Sequence, residues 1–320
     1  MLNPVGLVDT GRISADTGHS FERTKNAASG IAARFYMQRN FFVNDPDAFN
    51  VTATHLMERA NEKSSITLGA AEASIALSAV SGGMYEIGDD MLVLGSEKDR
   101  LALVENRELL NMAKVGRAST PLDLMTYEPE DGQPSIFLLR QDQRQAILTV
   151  FNWTNTVRSH TLKLVDLGLP AGHTFAATDV LKQNETIALE GGAVRLENQA
   201  PQSVRVIKLI DKSVAAAAPT VTAQVPAAAD SGQTIALSAQ AEAGGVPAVA
   251  YHWDFGDGTS ADSPKVSHAY TRAGEFTIGL TVDGLDGVPA HKDFSVTVTG
   301  KLKAHSNLTD NRRFVEPTDH

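Results

Sequence analysis

Arg12 and Asp16 stand four residues apart, and Asp45 and Asp47 flank a proline within Asn44-Asp45-Pro46-Asp47. A guanidinium offers N–H donors in a fixed fork, and a carboxylate accepts from several hydroxyls. Together these groups suit a polar, uncharged, polyhydroxylated ligand such as a sugar. Paired carboxyl groups also have a chemistry of their own. About 5–5.5 Å apart across a glycosidic bond, one attacks the anomeric carbon; the other protonates the departing oxygen and then deprotonates water. The proton donor must keep its proton near working pH, which takes burial or a neighbouring negative charge. On spacing alone, Arg12 and Asp16 read equally as a surface ion pair worth under about 1 kcal/mol.

These residues need elements to place them. An apolar run, Val5-Gly-Leu-Val8, predicts a strand leading into Arg12. A second run, Asn40-Phe-Phe-Val43, predicts a strand leading into Asn44. Between them Phe21, Ala28, Ile31 and Phe35 lie near helical spacing in a segment from Phe21 to Arg39. Ile66, Ala70, Ala73, Leu77 and Val80 mark one face of another helix, which Gly82-Gly83 ends. Met84–Ile87 reads as a third strand ending at Gly88-Asp89-Asp90. Ser96 with Asp99 reads as a capping box for a helix through Leu110. Asp89 and Asp90 stand where a pocket would lie, or cap the turn that follows. In Ala48–Ser65, His55, Glu58 and Arg59 either reach a ligand or form a solvated loop.

Gly6-Leu-Val-Asp-Thr-Gly-Arg-Ile-Ser-Ala-Asp16, an Ala- and Arg-rich helix, Asn-Asp-Pro-Asp and a later Gly-Gly-Met resemble the melibiase-type α-galactosidases. These are the family 36 and family 27 glycoside hydrolases, retaining enzymes on a (β/α)₈ barrel. The resemblance implies that residues 1–115 are the last three β/α units of such a barrel. It implies Asp16 as general acid/base, with Arg12, Asp45 and Asp47 contacting substrate. It implies no cofactor and no metal. The family's nucleophile is an aspartate at the end of an earlier strand, so it and the first part of the barrel are expected upstream of Met1. Residues 1–320 alone are then expected not to hydrolyse a glycoside.

From Pro121 the pattern changes. Ser135–Leu139, Gln145–Phe151, Thr161–Val165 and Ser203–Ile207 read as short strands, with turns at Asp131-Gly132 and Gly191-Gly192. Residues 121–211 are predicted to form an antiparallel β-sandwich with its own alternating core. Asn152-Trp-Thr is formally a glycosylation sequon, with burial of Trp153 the preferred reading. After the linker Ala215-Ala-Ala-Ala-Pro219, residues 218–300 form a separate β module. Tyr251-His-Trp-Asp-Phe-Gly-Asp-Gly258, His268-Ala-Tyr270 and Gly274-Glu-Phe276 resemble the polycystic-kidney-disease (PKD) repeat, an immunoglobulin-like sandwich. Its alternating Phe276, Ile278, Leu280 and Val282, and Phe294, Val296 and Val298, predict inward-facing strands. Asp254 and Asp257 are predicted to bond the turn's own backbone rather than Ca²⁺, and Trp253 to lie in the core. Residues 301–320 read as an irregular tail.

The expected fold class is therefore α/β plus all-β. A net charge of −10 without a Lys/Arg-rich run argues against nucleic acid and anionic membrane surfaces. No run of eighteen apolar residues predicts a membrane span, and no cysteine is present for a disulfide. The expected partner is an oligosaccharide or polysaccharide. The two resemblances imply an extracellular or periplasmic location. A second reading is a non-catalytic carbohydrate-binding or adhesion protein whose function lies in its β modules.

Overall fold

The computed structural model describes residues 6–57 and 62–300. Two compact units emerge. Among the described residues, the first joins those up to 221 with 241–249 and 282–290; the second holds 222–240, 250–281 and 291–300. Glu58, Arg59 and the tail 301–320 lie outside the described residues.

The first unit begins with β1 (Thr10–Arg12), α1 (Phe21–Ala33) and β2 (Val43–Asp45). β1 and β2 pair in parallel, with Thr10 opposite Val43 and Arg12 opposite Asp45. Both strands start later than the apolar runs predict. Leu7 is 85 % and Val8 42 % exposed, so the described part of the first run is not a core strand; Val5 lies outside the described residues. Ser20 caps α1 through the Arg23 N–H, and Phe21, Ala28 and Ile31 are buried as their spacing requires.

A hairpin follows, β3 (Thr54–Met57) and β4 (Glu62–Ser65), antiparallel with Thr54 opposite Ser65. Next comes α2 (Leu68–Ser81). Thr67 caps its start through the Ala70 N–H at 3.1 Å. Gly82 closes it in the left-handed region at φ 66°. Its buried residues run all round, from Ala70 and Ser74 to Ile75 and Leu77, so it is a central helix rather than one with a single apolar face. Met84–Ile87 does not form the third strand. The Met84 N–H reaches the Asn44 carbonyl at 2.8 Å, and a single parallel bridge joins Ile87 to Phe49. The predicted helix from Ser96 through Leu110 is two short ones, α4 (Lys98–Val104) and α5 (Arg107–Val115), and an unpredicted α3 (Met91–Ser96) precedes them. The capping box is absent. Ser96 Oγ donates back to the Val93 carbonyl, and Asn106 caps α5 instead.

Nine strands build the sandwich: β5 (Thr120–Pro121), β6 (Ile136–Arg140), β7 (Gln145–Asn152), β8 (Arg158–Lys163), β9 (Phe175–Asp179), β10 (Glu185–Ile187), β11 (Leu189–Glu190), β12 (Ala193–Gln199) and β13 (Ser203–Asp211). One sheet has the order β10-β9-β13-β7-β6-β5, the other β11-β12-β8. All eight residues of β7 are buried. Ala146, Leu148 and Val150 pack in the cluster with Val194 and Leu196 of the opposing sheet. Ile147 and Phe151 belong to a different cluster, with Phe137, Val204, Val206 and the residues of α1 and α2. The sandwich therefore has a core of its own between its two sheets, and the other face of its larger sheet is covered by helices in a second, shared core. Trp153 sits at this junction, 2 % exposed and stacked on Phe151 at 4.3 Å, its indole N–H donated to the Pro134 carbonyl. Asn152 is fully buried and donates to the Thr156, Gln199 and Ala200 carbonyls, so the sequon is structural.

The C-terminal module comprises β14 (Val221–Gln224), β15 (Ala228–Asp230), β16 (Ile235–Ala241), β17 (Ala248–Asp254), β18 (Ser260–Ala261), β19 (Lys265–His268), β20 (Gly274–Gly284) and β21 (Pro289–Thr299). They form sheets β14-β16-β19 and β15-β21-β20-β17-β18. Phe276, Ile278, Leu280, Val282, Val296 and Val298 are buried, and Phe294 is half-buried. Trp253 is fully buried and donates to the Ser263 carbonyl. Asp254 accepts from the Gly256 N–H, and Asp257 from the Thr259 N–H and hydroxyl, so both carboxylates brace the turn.

Two predictions follow from burial. A fragment of residues 121–211 should expose one apolar face of β6, β7 and β13, bind a dye such as ANS and aggregate, whereas 220–299 should unfold cooperatively with dispersed amide resonances. A soluble, ANS-silent 121–211 would contradict the shared core. Glu72 on α2 supplies the second. Burial lifts its carboxyl to about 7, with Asp179 adding to the rise and Lys182, Arg100 and Arg205 opposing it. The folded state thus holds a proton that the unfolded chain has released, so stability should fall as pH rises from about 4.5 to about 7 and then level off. Glu72→Gln should flatten that slope and raise stability at pH 8 by on the order of 2–3 kcal/mol. Urea unfolding of both proteins at pH 4.5 and pH 8 measures it; equal slopes would refute it.

Candidate functional site

The site lies where β1 and β2 end. Parallel pairing puts Arg12 directly across from Asp45, and the chain reaches Asp47 two residues later. The Arg12 Nε donates to Asp45 Oδ2 at 3.2 Å. Its two terminal nitrogens bind both oxygens of Asp47, Nη1 to Oδ2 at 2.9 Å and Nη2 to Oδ1 at 3.1 Å. This fork is the strong form of a charge-assisted pair. Asp16 meets Nη1 at 3.4 Å and its side chain is 90 % exposed. One cation thus faces three carboxylates, which leaves the corner electronegative.

The Asp47 carboxyl is held by more than charge. Its backbone sits at φ 72°, a region non-glycine residues rarely enter. Asp45 Oδ1 accepts the Asp47 N–H at 2.8 Å, which fixes that turn. The preceding loop clamps it from the side. The Thr17 N–H donates to Asp47 Oδ2 at 2.8 Å, the Thr17 hydroxyl to the Ala48 carbonyl, and the Ser14 hydroxyl to the Pro46 carbonyl. Burial pushes the Asp47 carboxyl up, but the Thr17 and Ala48 N–H groups and the Arg12 charge outweigh it and hold the group below its ordinary range. Arg12 is moved the other way: burial opposes its charge, yet Asp45, Asp47 and Asp16 hold the guanidinium above its usual value. Beneath the strands, Gln38 accepts the Asn44 N–H at 2.7 Å and donates to the Gly82 and Gly116 carbonyls. Glycine at 11 leaves room for the Phe42 ring, since a Cβ there would lie 2.8 Å from it.

The structure brings together all four residues that the sequence singles out, Arg12, Asp16, Asp45 and Asp47. Asp89 and Asp90 do other work. Asp89 accepts from the Val51 and Thr52 N–H groups and the Thr52 hydroxyl, and Asp90 caps α3. Sequence reasoning missed Ser14, Thr17, Gln38 and His19. His19 bridges Ser64 Oγ at 2.8 Å and the Thr52 carbonyl at 2.5 Å, tying the β3–β4 hairpin to the site loop. The one signal for Thr17 is its place directly after Asp16.

Residues 216–298 match the PKD domain family. Among solved structures, the chain is similar to a family 27 β-L-arabinopyranosidase from Geobacillus stearothermophilus, determined with arabinose. Identity is 13 % over 63 % of this chain and 45 % of that one, with a TM-score of 0.48. It is similar to carbohydrate-binding modules of the β-sandwich superfamily at 22 % identity, over 28 % of this chain and 37 % of that one, TM-score 0.26. The PKD1 domain of Vibrio anguillarum Epp is 26 % identical over 27 % of this chain and 99 % of that one, TM-score 0.24. The chain spans less than half the length of the arabinopyranosidase and of the carbohydrate-binding structure.

Proposed function

We propose that the β1–β2 corner is the sugar-binding part of a retaining glycosidase site, of α-galactosidase type, with the PKD module as an appended spacer. The observation that carries the reading is the Arg12 fork on Asp47 and Asp45, set at the ends of two parallel strands by register. Arg12, Asp45 and Asp47 would bind the hydroxyls of the terminal sugar. A hydroxyl both donates and accepts, so it can enter between a guanidinium and a carboxylate without leaving either unpaired. Asp16, exposed and held by one contact, is the carboxyl free to meet the glycosidic oxygen and serves as general acid/base. The family resemblance assigns the nucleophile to an aspartate preceding this motif. The sugar-related location this implies is outside the cell or in the periplasm.

The test is turnover of aryl α-galactosides and aryl β-L-arabinopyranosides by the native polypeptide carrying these residues. Arg12→Ala removes charge-assisted bonds worth roughly 1.5–3 kcal/mol each, so kcat/KM should fall by about 10²-fold. A native polypeptide inactive on every aryl glycoside, or one indifferent to Arg12→Ala, would end this reading.

A further inference from the structure

The Asp16 carboxylate is 90 % exposed and meets the Arg12 guanidinium at 3.4 Å. Its own contacts therefore do little to place it. A general acid works only when its proton reaches the departing oxygen, and a misplacement of about 1 Å can cost on the order of 10²-fold in rate. The backbone of the Asp16 loop must then set where the carboxyl stands. That loop runs from Ile13 to Ser20, the cap of α1.

The loop is laced to the chain that follows β2, in the same order along both. The Ser14 hydroxyl donates to the Pro46 carbonyl at 2.8 Å. The Thr17 N–H donates to the Asp47 carboxylate at 2.8 Å, and the Thr17 hydroxyl to the Ala48 carbonyl at 2.6 Å. Beyond Asp16, His19 Nε2 meets the Thr52 carbonyl and Nδ1 meets the Ser64 hydroxyl on β4. A carbonyl only accepts, so Nε2 carries a hydrogen. In the neutral ring Nδ1 then accepts from Ser64.

The His19 tie differs from the others in what stands behind it. Pro46, Asp47 and Ala48 belong to the same corner as Arg12. Thr52 is fixed from elsewhere. Asp89 is buried and accepts the Val51 N–H, the Thr52 N–H at 3.2 Å and the Thr52 hydroxyl at 2.6 Å. Arg100, also buried, donates to the Val51 carbonyl at 2.9 Å, and Glu97 accepts the Ala53 N–H at 2.7 Å. Every one of these bonds is independent of His19. The imidazole thus ends on a stretch of backbone that two buried ionic side chains already hold.

We propose that His19 is a positioning residue for Asp16, fastening the loop of the general acid/base to the Thr52 backbone that Asp89 and Arg100 hold. The role rests on the glycosidase reading above. Asp89, read from the sequence as a pocket residue, then acts on the site from a distance, through Thr52 and His19.

The test compares His19→Ala, His19→Gln and Ser64→Ala in the native polypeptide carrying these residues. The readout is kcat/KM, which reports the half-reaction in which Asp16 gives its proton to the departing oxygen. His19→Ala should lower it on a natural oligosaccharide by on the order of 10–10²-fold. That loss should be at least fivefold larger than the loss on dinitrophenyl galactoside, whose phenol leaves without a proton. Glutamine can still donate to the Thr52 carbonyl, so His19→Gln should recover at least a third of the wild-type value. Ser64→Ala, which keeps that bond, should lose less than His19→Ala. Amide exchange gives a readout free of catalysis: in His19→Ala, residues 14–19 should exchange at least fivefold faster, with α2 unchanged. A histidine that only supports the fold would cost both substrates equally, and that result overturns the proposal. So does unchanged exchange at 14–19, or His19→Gln no better than His19→Ala. Each of these can occur while Arg12→Ala still impairs turnover, which leaves the glycosidase reading standing. A wild type inactive on every aryl glycoside would defeat that reading and this role with it.

Discussion

On the proposed function, replacing Asp16 with alanine in the native polypeptide should slow hydrolysis of a natural oligosaccharide by about 10²–10⁴-fold while sparing dinitrophenyl galactoside far more. General acid catalysis contributes on that scale, and its worth depends on the leaving group. An alkoxide leaves poorly unless protonated; a very acidic phenol needs no proton. The Asp16 side chain is exposed and touches only Arg12 among the site residues, so its removal should not disturb the Arg12–Asp47 fork. The second half-reaction would then lack its base. Azide should bypass that step, restore turnover and give a product of α configuration, because it attacks the glycosyl-enzyme from the face that water uses. A β-azide would mean that no covalent intermediate formed and that Asp16 is the nucleophile. Equal loss on every leaving group would make Asp16 a binding carboxylate and move attention to Asp45 and Asp47.

Gly83→Ala should destabilise the first unit by about 3 kcal/mol or more, the upper range for forcing atoms into a packed interior, and lower its Tm by on the order of 10 °C. A Cβ on Gly83 would lie 1.9 Å from the Asn44 carbonyl oxygen. That oxygen cannot retreat cheaply. It accepts the Met84 N–H at 2.8 Å, while the Asn44 N–H is pinned by Gln38 at 2.7 Å. Relief must therefore come from moving β2, which carries Asp45 and leads to Asp47. On the proposed function, the substitution should also weaken sugar binding at a site it does not touch. Thermal unfolding followed by circular dichroism measures the first effect. A variant with wild-type Tm would refute the close approach.

Local chemistry made some elements legible from sequence. Gly82 ends α2 because a left-handed residue is needed there, and glycine adopts that conformation without penalty. The carboxylates of Asp254 and Asp257 act on their own turn, which their spacing to Gly256 and Thr259 already implied. Long-range choices were less legible. The run at Leu7-Val8 is apolar yet exposed, because β1 is placed by its partner strand rather than by its own hydrophobicity. Met84–Ile87 carries a strand pattern, but a single bridge at Ile87 is all that pairs. The unbroken run Ala146-Ile-Leu-Thr-Val-Phe151 was the signal of a strand buried on both faces, and reading it as alternating hid the contact with α2. At the site, the motif named the charged residues. It could not name Ser14, Thr17 and Gln38, whose side chains bond backbone atoms of other segments and leave no spacing to read.

Burial of β7 on both faces also sets a clock for this molecule. The strand lies between β13 and β6, in register with β13 from Gln145 to Asn152, so its amides are paired on both edges, and both of its faces are closed by side chains. No small fluctuation can bring water to them, so their hydrogens should exchange only when the whole first unit opens. The ends of β1 and β2 stand at the other limit, with Arg12 and Asp16 exposed and short pairing beneath them. The strand ends that would grip a sugar can breathe in small excursions, while the layer under them holds one arrangement until everything is lost together.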